Sequence, residues 1–165
     1  ASYLSWFLTP ATVCLAIPLY EQIELLKTHW KAVIAGILSG VLTSLVTVFV
    51  LSKIMSLSHK EYVTMLPKSI TTAIGMGVSE ELGGYVTITV AVIIVTGVLG
   101  NILADFIFRI TEPIAKGLAI GSASHAIGTA KAMEMGEIEG AMSSLSIAVA
   151  GIITVVGASI FANFI

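Results

Sequence analysis

The sequence is short of charge. Only 11% of its 165 residues are Asp, Glu, Lys or Arg, whereas 56% are hydrophobic, and a typical soluble domain carries about 25% charged residues. Three stretches, 32–52, 82–104 and 141–165, contain no charge at all, and each is close to the ~20 residues that a helix needs to cross a bilayer. The composition therefore predicts an all-α, polytopic membrane helical bundle in a single domain, 1–165.

Paired cysteines, metal-ligand clusters and excess basic charge are also missing. Cys14 is alone, so no intrachain disulfide can form, and His29, His59 and His125 lack the spacing of a metal site. A net charge of -2 offers no basic surface to nucleic acid. Ser124 precedes His125 outside any nucleophile-elbow motif, and neighbouring helical residues point ~100° apart. We predict no enzyme activity, metal or cofactor.

Three less apolar segments, 1–20, 62–81 and 112–133, alternate with the charge-free stretches, which gives about six predicted membrane segments. Proline and glycine interrupt them, and interrupted helices are typical of transporters. We expect breaks near 71–75 and 124–128 that approach each other in the middle of the membrane. The residues predicted to break helices are Pro10, Pro18, Pro67, Gly75 and Gly128.

Short similarities within the chain predict internal repeats. Residues 10–18 align with 67–75, and the triplet Ala-Ile-Gly occurs at both 73–75 and 126–128. Repeats with interrupted helices are common in secondary transporters. The alternative is chance similarity in a composition rich in Ala, Ile and Gly.

The charged turns predict an orientation. If six segments cross, turns 53–61 and 105–116 share one side, whereas 21–31, 80–84 and 133–140 share the other. The first side is basic and the second mostly acidic, so the positive-inside rule predicts that the first is cytoplasmic. If 62–81 is instead a re-entrant hairpin, the later turns change sides.

Two polar stretches inside the apolar sequence predict a binding site. Lys68 follows Pro67 at an expected helix start, where free N–H groups and hydroxyls favour an anion, and His125 lies in the second stretch. The alternatives are that Lys68 snorkels to the interface and that His125 bonds a backbone carbonyl. The residues predicted to bind substrate are Lys68, Ser69, Thr71, Thr72, Ser124, His125 and Thr129.

Several motifs in the same order resemble the LrgB/CidB family of integral membrane proteins. They are Pro-Lys-Ser-Ile-Thr-Thr at 67–72, Ser-Glu-Glu-Leu-Gly-Gly at 79–84, Ser-His-Ala-Ile-Gly-Thr-Ala at 124–130 and Glu-Gly-Ala-Met-Ser-Ser-Leu at 139–145. The chain departs from the family pattern at Ala73, where the family has Pro, and at Gly75, where it usually has Ala. Family members usually carry further N-terminal helices, so we expect this chain to be the C-terminal part of a longer one.

The resemblance implies an inner-membrane, multi-pass protein that acts with a smaller LrgA/CidA-like membrane partner. It implies either a transporter or channel for a small monocarboxylate of the pyruvate, glycolate or glycerate class, or a holin/antiholin-like protein that regulates murein hydrolases and lysis. An ordered polar site favours the first, because a protein that only forms lesions needs none. We also expect lipid contact and a homo-oligomer.

Overall fold

The computed structural model describes residues 17, 20–107 and 110–165, with the backbone alone for 105–107. Every regular element in those ranges is helical, which confirms the predicted all-α fold. Segment 1–20, with the predicted breaks Pro10 and Pro18, lies almost entirely outside the described residues. The helices are α1 (Ile23–Ile54), α2 (His59–Met65), α3 (Thr72–Glu81), α4 (Val86–Ile107), α5 (Pro113–Met135), α6 (Glu137–Phe161) and a terminal 3-10 helix (Ala162–Phe164).

Long apolar helices form the frame of the bundle. Among the described residues, the stretches long and apolar enough to cross a membrane are Ile23–Ile54, Val86–Ala104 and Glu137–Phe164. They belong to α1, α4 and α6 with the 3-10 helix, and large apolar side chains remain exposed along them, as expected of helices surrounded by lipid. Segments 62–81 and 112–133 form broken hairpins instead, so the described part of the chain does not supply the expected six crossings.

Hairpin 1 (residues 59–81) consists of α2, a turn and α3. Pro67 lies in the turn, where its missing N–H and its steric effect on the preceding residue end the first arm. The hydroxyl of Thr89, in α4, is 2.9 Å from the carbonyl oxygen of Thr64 and 2.7 Å from Oγ of Ser79. Since Thr64 belongs to the first arm and Ser79 to the second, the chain leaves hairpin 1 close to where it entered.

Hairpin 2 (residues 113–135) is α5, which folds back on itself at His125, where φ is 43° and ψ is -141°. In a continuous helix, residues 121 and 129 would lie ~12 Å apart along the axis. Both instead contact Ser143 of α6. Oγ1 of Thr129 is 2.7 Å from Oγ of Ser143, and a Cβ added to Gly121 would lie 2.8 Å from the same atom.

The arms of both hairpins are too short to cross a bilayer. Helix α2 has 7 residues and α3 has 10, which gives lengths of ~10 and ~15 Å, and the arms of hairpin 2 are of similar length. The hydrocarbon core is ~30 Å thick. Both hairpins reach the central part of α4, since the side chain of Ile93 contacts Gly75 and a Cβ added to Gly97 would lie 2.6 Å from the ring of His125.

Contacts at the two ends of the bundle show which turns lie together. At one end, called end B, Nζ of Lys60 is 4.3 Å from the ring centre of Tyr85, and the hydroxyl of Tyr62 donates to the carbonyl oxygen of Phe161 at 3.0 Å. Turns 53–58 and 82–85 therefore share end B with the last turn of α6.

At the other end, called end A, Lys116 pairs with Glu139 at 3.5 Å, and His29 and Glu112 line one cavity. The starts of α1, α5 and α6 therefore share end A. The prediction that turns 53–61 and 80–84 lie on opposite sides of the membrane is therefore wrong. The prediction that 105–116 lies opposite 21–31 and 133–140 is also wrong, as the described residues 110–116 show. The reason is that hairpin 1 enters and leaves the bundle at end B instead of crossing to end A.

The two hairpins enter from opposite ends. Hairpin 1 follows α1 and enters from end B, whereas hairpin 2 follows α4 and enters from end A. The chain thus places the same pair of elements, a long helix and a broken hairpin, in two opposite orientations. The repeated triplet Ala-Ile-Gly occupies the same place in both hairpins. Residues 73–75 lie at the start of the second arm of hairpin 1, and residues 126–128 lie at the start of the second arm of hairpin 2.

Two predicted helix breaks fall inside helices. Gly75 lies within α3 and Gly128 within the second arm of hairpin 2. The breaks are instead the turn 66–71 and the single residue His125. Both glycines serve close packing, since a Cβ on Gly128 would lie 3.0 Å from Cγ2 of Ile120.

Candidate anion-binding site

A cavity of about 800 Å³ lies between α1, the tip of hairpin 1 and the first arm of hairpin 2. It extends from His29 and Glu112 at end A to Lys68 and Ser69 at the tip of hairpin 1. Elements from both halves of the chain therefore enclose the same space.

Hydroxyl groups of α1 line one wall. Ser39, Thr43 and Thr47 recur every four residues, so they lie on one face of the helix, and Ser44 lies beside them. These hydroxyl residues are not among those predicted from the sequence, because 32–52 was interpreted only as an apolar span. The regular spacing of hydroxyls in a Val- and Leu-rich stretch is the signal that could have identified them.

The opposite wall is the first arm of hairpin 2. It packs closely on α1, because a Cβ added to Gly36 would lie 3.2 Å from Leu118 and one added to Gly40 would lie 2.8 Å from Oγ of Ser122. The absence of side chains at these two glycines lets α1 and hairpin 2 approach each other closely. Ser122 also lines the cavity.

Lys68 differs from the other lysines in the described ranges. Its ammonium donates to Oγ of Ser69 at 3.0 Å and makes no ion pair with a described carboxylate. Each of the others lies beside a carboxylate or an aromatic ring. These are Lys27, Lys116 and Lys131, which pair with carboxylates, and Lys31, Lys53 and Lys60, which lie over rings.

Ser69 connects Lys68 to α1. Its Oγ is 3.1 Å from Oγ of Ser44, and Ser69 is buried while Lys68 is partly buried. The ammonium has three N–H donors, and only one of them has a hydrogen-bond partner among the described residues. The tip of hairpin 1 therefore presents a positive charge with donors available at the cavity wall.

The remaining residues that were predicted for the site do not line this cavity. Thr71 and Thr72 start α3 just past the tip, with Thr71 at the N-cap position. Ser124 packs against Gly100 of α4. The hydroxyl of Thr129 donates to the carbonyl oxygen of His125 at 3.0 Å.

His125 points away from the cavity and toward α4. Its Nε2 is 2.9 Å from the carbonyl oxygen of Ile93, and because a carbonyl can only accept, Nε2 carries the proton and donates. His125 is buried at 3% exposure. This geometry matches the alternative in which the histidine bonds a backbone carbonyl, and the structure brings Lys68 and Ser69 together without His125.

The cavity suits an anion better than a metal ion. Hydroxyl groups and one ammonium lie at the end of the cavity near Lys68, whereas zinc and calcium sites are built mainly from clustered carboxylates, thiolates or imidazoles. The described residues contain no group of three or more such side chains that could hold a metal.

The fold and cavity define a membrane helical protein with two opposed broken hairpins. A model of the LrgB-like family matches residues 1–164, and the chain belongs to this family. The antiholin-like protein LrgB of Bacillus cereus is 42% identical to this chain over an alignment that covers 98% of this chain and 72% of that protein. The antiholin-like protein LrgB of Bacillus anthracis shows the same identity and coverage. No solved structure matches the chain.

Proposed function

We propose that this chain forms the conducting part of a membrane transporter or channel for small monocarboxylates of the pyruvate, glycolate or glycerate class. The observation that carries the proposal is Lys68, whose ammonium lies on a hydroxyl-lined cavity without a carboxylate partner among the described residues. A charged side chain at membrane depth is costly and usually functional. A carboxylate that enters the cavity would pair with this charge.

The opposed hairpins support this proposal. Broken helices from two inverted units, with substrate held between them near the middle of the membrane, are characteristic of secondary transporters. We propose that α1, α4 and α6 cross the inner (plasma) membrane and that the hairpins enter it from opposite sides. An LrgA/CidA-like small membrane partner and a homo-oligomer remain predictions, which chemical cross-linking in cells would test.

Uptake of labelled pyruvate, glycolate and glycerate into proteoliposomes tests the proposal. Lys68→Met should abolish uptake while the protein still inserts, and Lys68→Arg should retain part of it, because the charge survives while its geometry changes. Lys60→Met is the matched control, since it removes the same charge from the end B side of the same hairpin. Full uptake by Lys68→Met, or none by the unchanged protein, would refute the proposal.

The second candidate is an antiholin-like role in the control of murein hydrolases and lysis. The observation in its favour is the name of the similar proteins from Bacillus cereus and Bacillus anthracis, antiholin-like protein LrgB. Autolysis rates of cells that carry the Lys68→Met and Lys60→Met variants distinguish the two. If lysis control survives Lys68→Met while uptake is lost, the two activities are separate; if both are lost, the same cavity serves both.

A further inference from the structure

We propose that Ser44 of α1 is a positioning residue that holds Ser69 and the Lys68 ammonium for the anion. This inference rests on the proposed function and extends its site to an element that the sequence motifs did not include. It starts from two consecutive contacts, Nζ of Lys68 to Oγ of Ser69 at 3.0 Å and Oγ of Ser69 to Oγ of Ser44 at 3.1 Å. All three residues line the cavity.

The contacts constrain the hydroxyl hydrogens. Oγ of Ser69 accepts from the ammonium, because an ammonium can only donate. Ser69 and Ser44 have two hydroxyl hydrogens between them, and the bond that joins them uses one. Neither hydroxyl has another hydrogen-bond partner among the described residues, so one hydrogen of the pair remains available to an anion in the cavity.

Together with the unused N–H groups of Lys68, this hydroxyl gives a carboxylate several donors at one place. Hydrogen bonds from charged donors to a carboxylate are short and strong, and their strength depends on holding the donors in position. Ser69 lies in a turn rather than in a helix, so its own backbone does less to fix it. Ser44 belongs to the part of α1 that follows the kink at His29 and provides the rigid support.

Ser39 offers a matched control on the same helix. It also lines the cavity, but its hydroxyl donates to the carbonyl oxygen of Gly36 at 2.8 Å and has no part in the contacts to Lys68. Ser39→Ala therefore removes a cavity hydroxyl of the same kind without changing the support of Ser69. Alanine is the most favourable helix residue, so Ser44→Ala and Ser39→Ala should both fold.

The experiment measures KM and maximal uptake rate of a transported monocarboxylate in proteoliposomes for the unchanged protein and three variants. Ser44→Ala should raise KM about three- to tenfold, with the maximal rate and the amount of folded protein preserved. Ser44→Thr should keep the KM of the unchanged protein because it keeps the hydroxyl. Ser39→Ala should raise KM less than Ser44→Ala does, because the Ser39 hydroxyl is bonded to the Gly36 carbonyl. A purely structural role would lower the amount of folded protein or the maximal rate instead of changing KM.

The outcomes separate this inference from the proposed function. If Lys68→Met abolishes uptake while Ser44→Ala leaves KM unchanged, the inference is wrong and the proposed function stands. An equal rise of KM in Ser39→Ala also overturns the inference, because the effect is then common to cavity hydroxyls. If the unchanged protein takes up none of the monocarboxylates, the proposed function fails and the inference fails with it.

Discussion

Nε2 of His125 donates to the carbonyl oxygen of Ile93 at 2.9 Å and thereby fastens the tip of hairpin 2 to the middle of α4. His125 is also the residue at which α5 reverses, with φ of 43°. Residues other than glycine are costly in this conformation, by ~1–3 kcal/mol, and persist there only when the surroundings enforce it. The hydrogen bond and the packing of the ring against Gly97 supply that enforcement.

The backbone conformation at His125 predicts that glycine is more stabilising than alanine at this position, the opposite of their order in an ordinary helix. In an ordinary helix glycine is less favourable than alanine by about 1 kcal/mol, but at position 125 glycine alone relieves the strain. His125→Gly should therefore melt at a higher temperature than His125→Ala, as measured by thermal unfolding in detergent. Ala130→Gly, in the same helix, is the control and should lower the melting temperature. If His125→Ala is the more stable of the two, α5 does not reverse at this residue.

The packing of His125 on Gly97 predicts a second stability effect. A Cβ at Gly97 would lie 2.6 Å from Cε1 and 2.7 Å from Nε2 of the His125 ring, whereas one at Gly77 would meet nothing within 4 Å. Gly97→Ala should lower the free energy of unfolding by about 1–3 kcal/mol, the usual cost of overpacking. Gly77→Ala should leave it unchanged or raise it slightly. Equal behaviour of the two variants in thermal unfolding would contradict the contact.

The position of the turns predicts a new orientation. End A carries Lys27, Lys31, Lys116 and Lys131, whereas end B carries Lys53 and Lys60, so the positive-inside rule now predicts that end A is cytoplasmic. Compared with the expectation from six crossings, turns 21–31, 53–61 and 133–140 change sides, whereas 80–84 and the described residues 110–116 keep the sides that were predicted for them. In a Cys14→Ser background, cysteines at Lys60 and Glu81 should both react with an impermeant thiol reagent added outside cells, and one at Glu137 should not.

Labelling in permeabilised cells controls for buried sites, because all three cysteines should then react. Reaction of the Lys60 site without the Glu81 site would contradict the re-entrant hairpin, since the two lie on the same side only if hairpin 1 returns. If only the Glu137 site reacts, the re-entrant hairpin is still supported, but end A faces the outside of the cell and the predicted orientation is wrong.

The sequence by itself determined the class of structure and the family. Scarce charge and long apolar runs require helices that satisfy their own backbone hydrogen bonds in lipid, and Pro67 requires an interruption because it cannot continue a helix. The motifs around Lys68 and His125 carried the family resemblance, which the match over residues 1–164 confirms. These features depend on residues that are close in the sequence, so they can be recognised before the tertiary structure is known.

The tertiary structure alone decided whether the interrupted segments cross or return. Hydropathy reports how apolar a segment is, but a re-entrant arm and a crossing helix bury similar residues, so the pattern did not separate them. The return of hairpin 1 depends on the contacts of Thr89 with Thr64, 25 positions away in the sequence, and with Ser79. The same holds for Ser44 and Ser69, also 25 positions apart. Such long-range contacts arise from packing between helices, and no local pattern of residues encodes them.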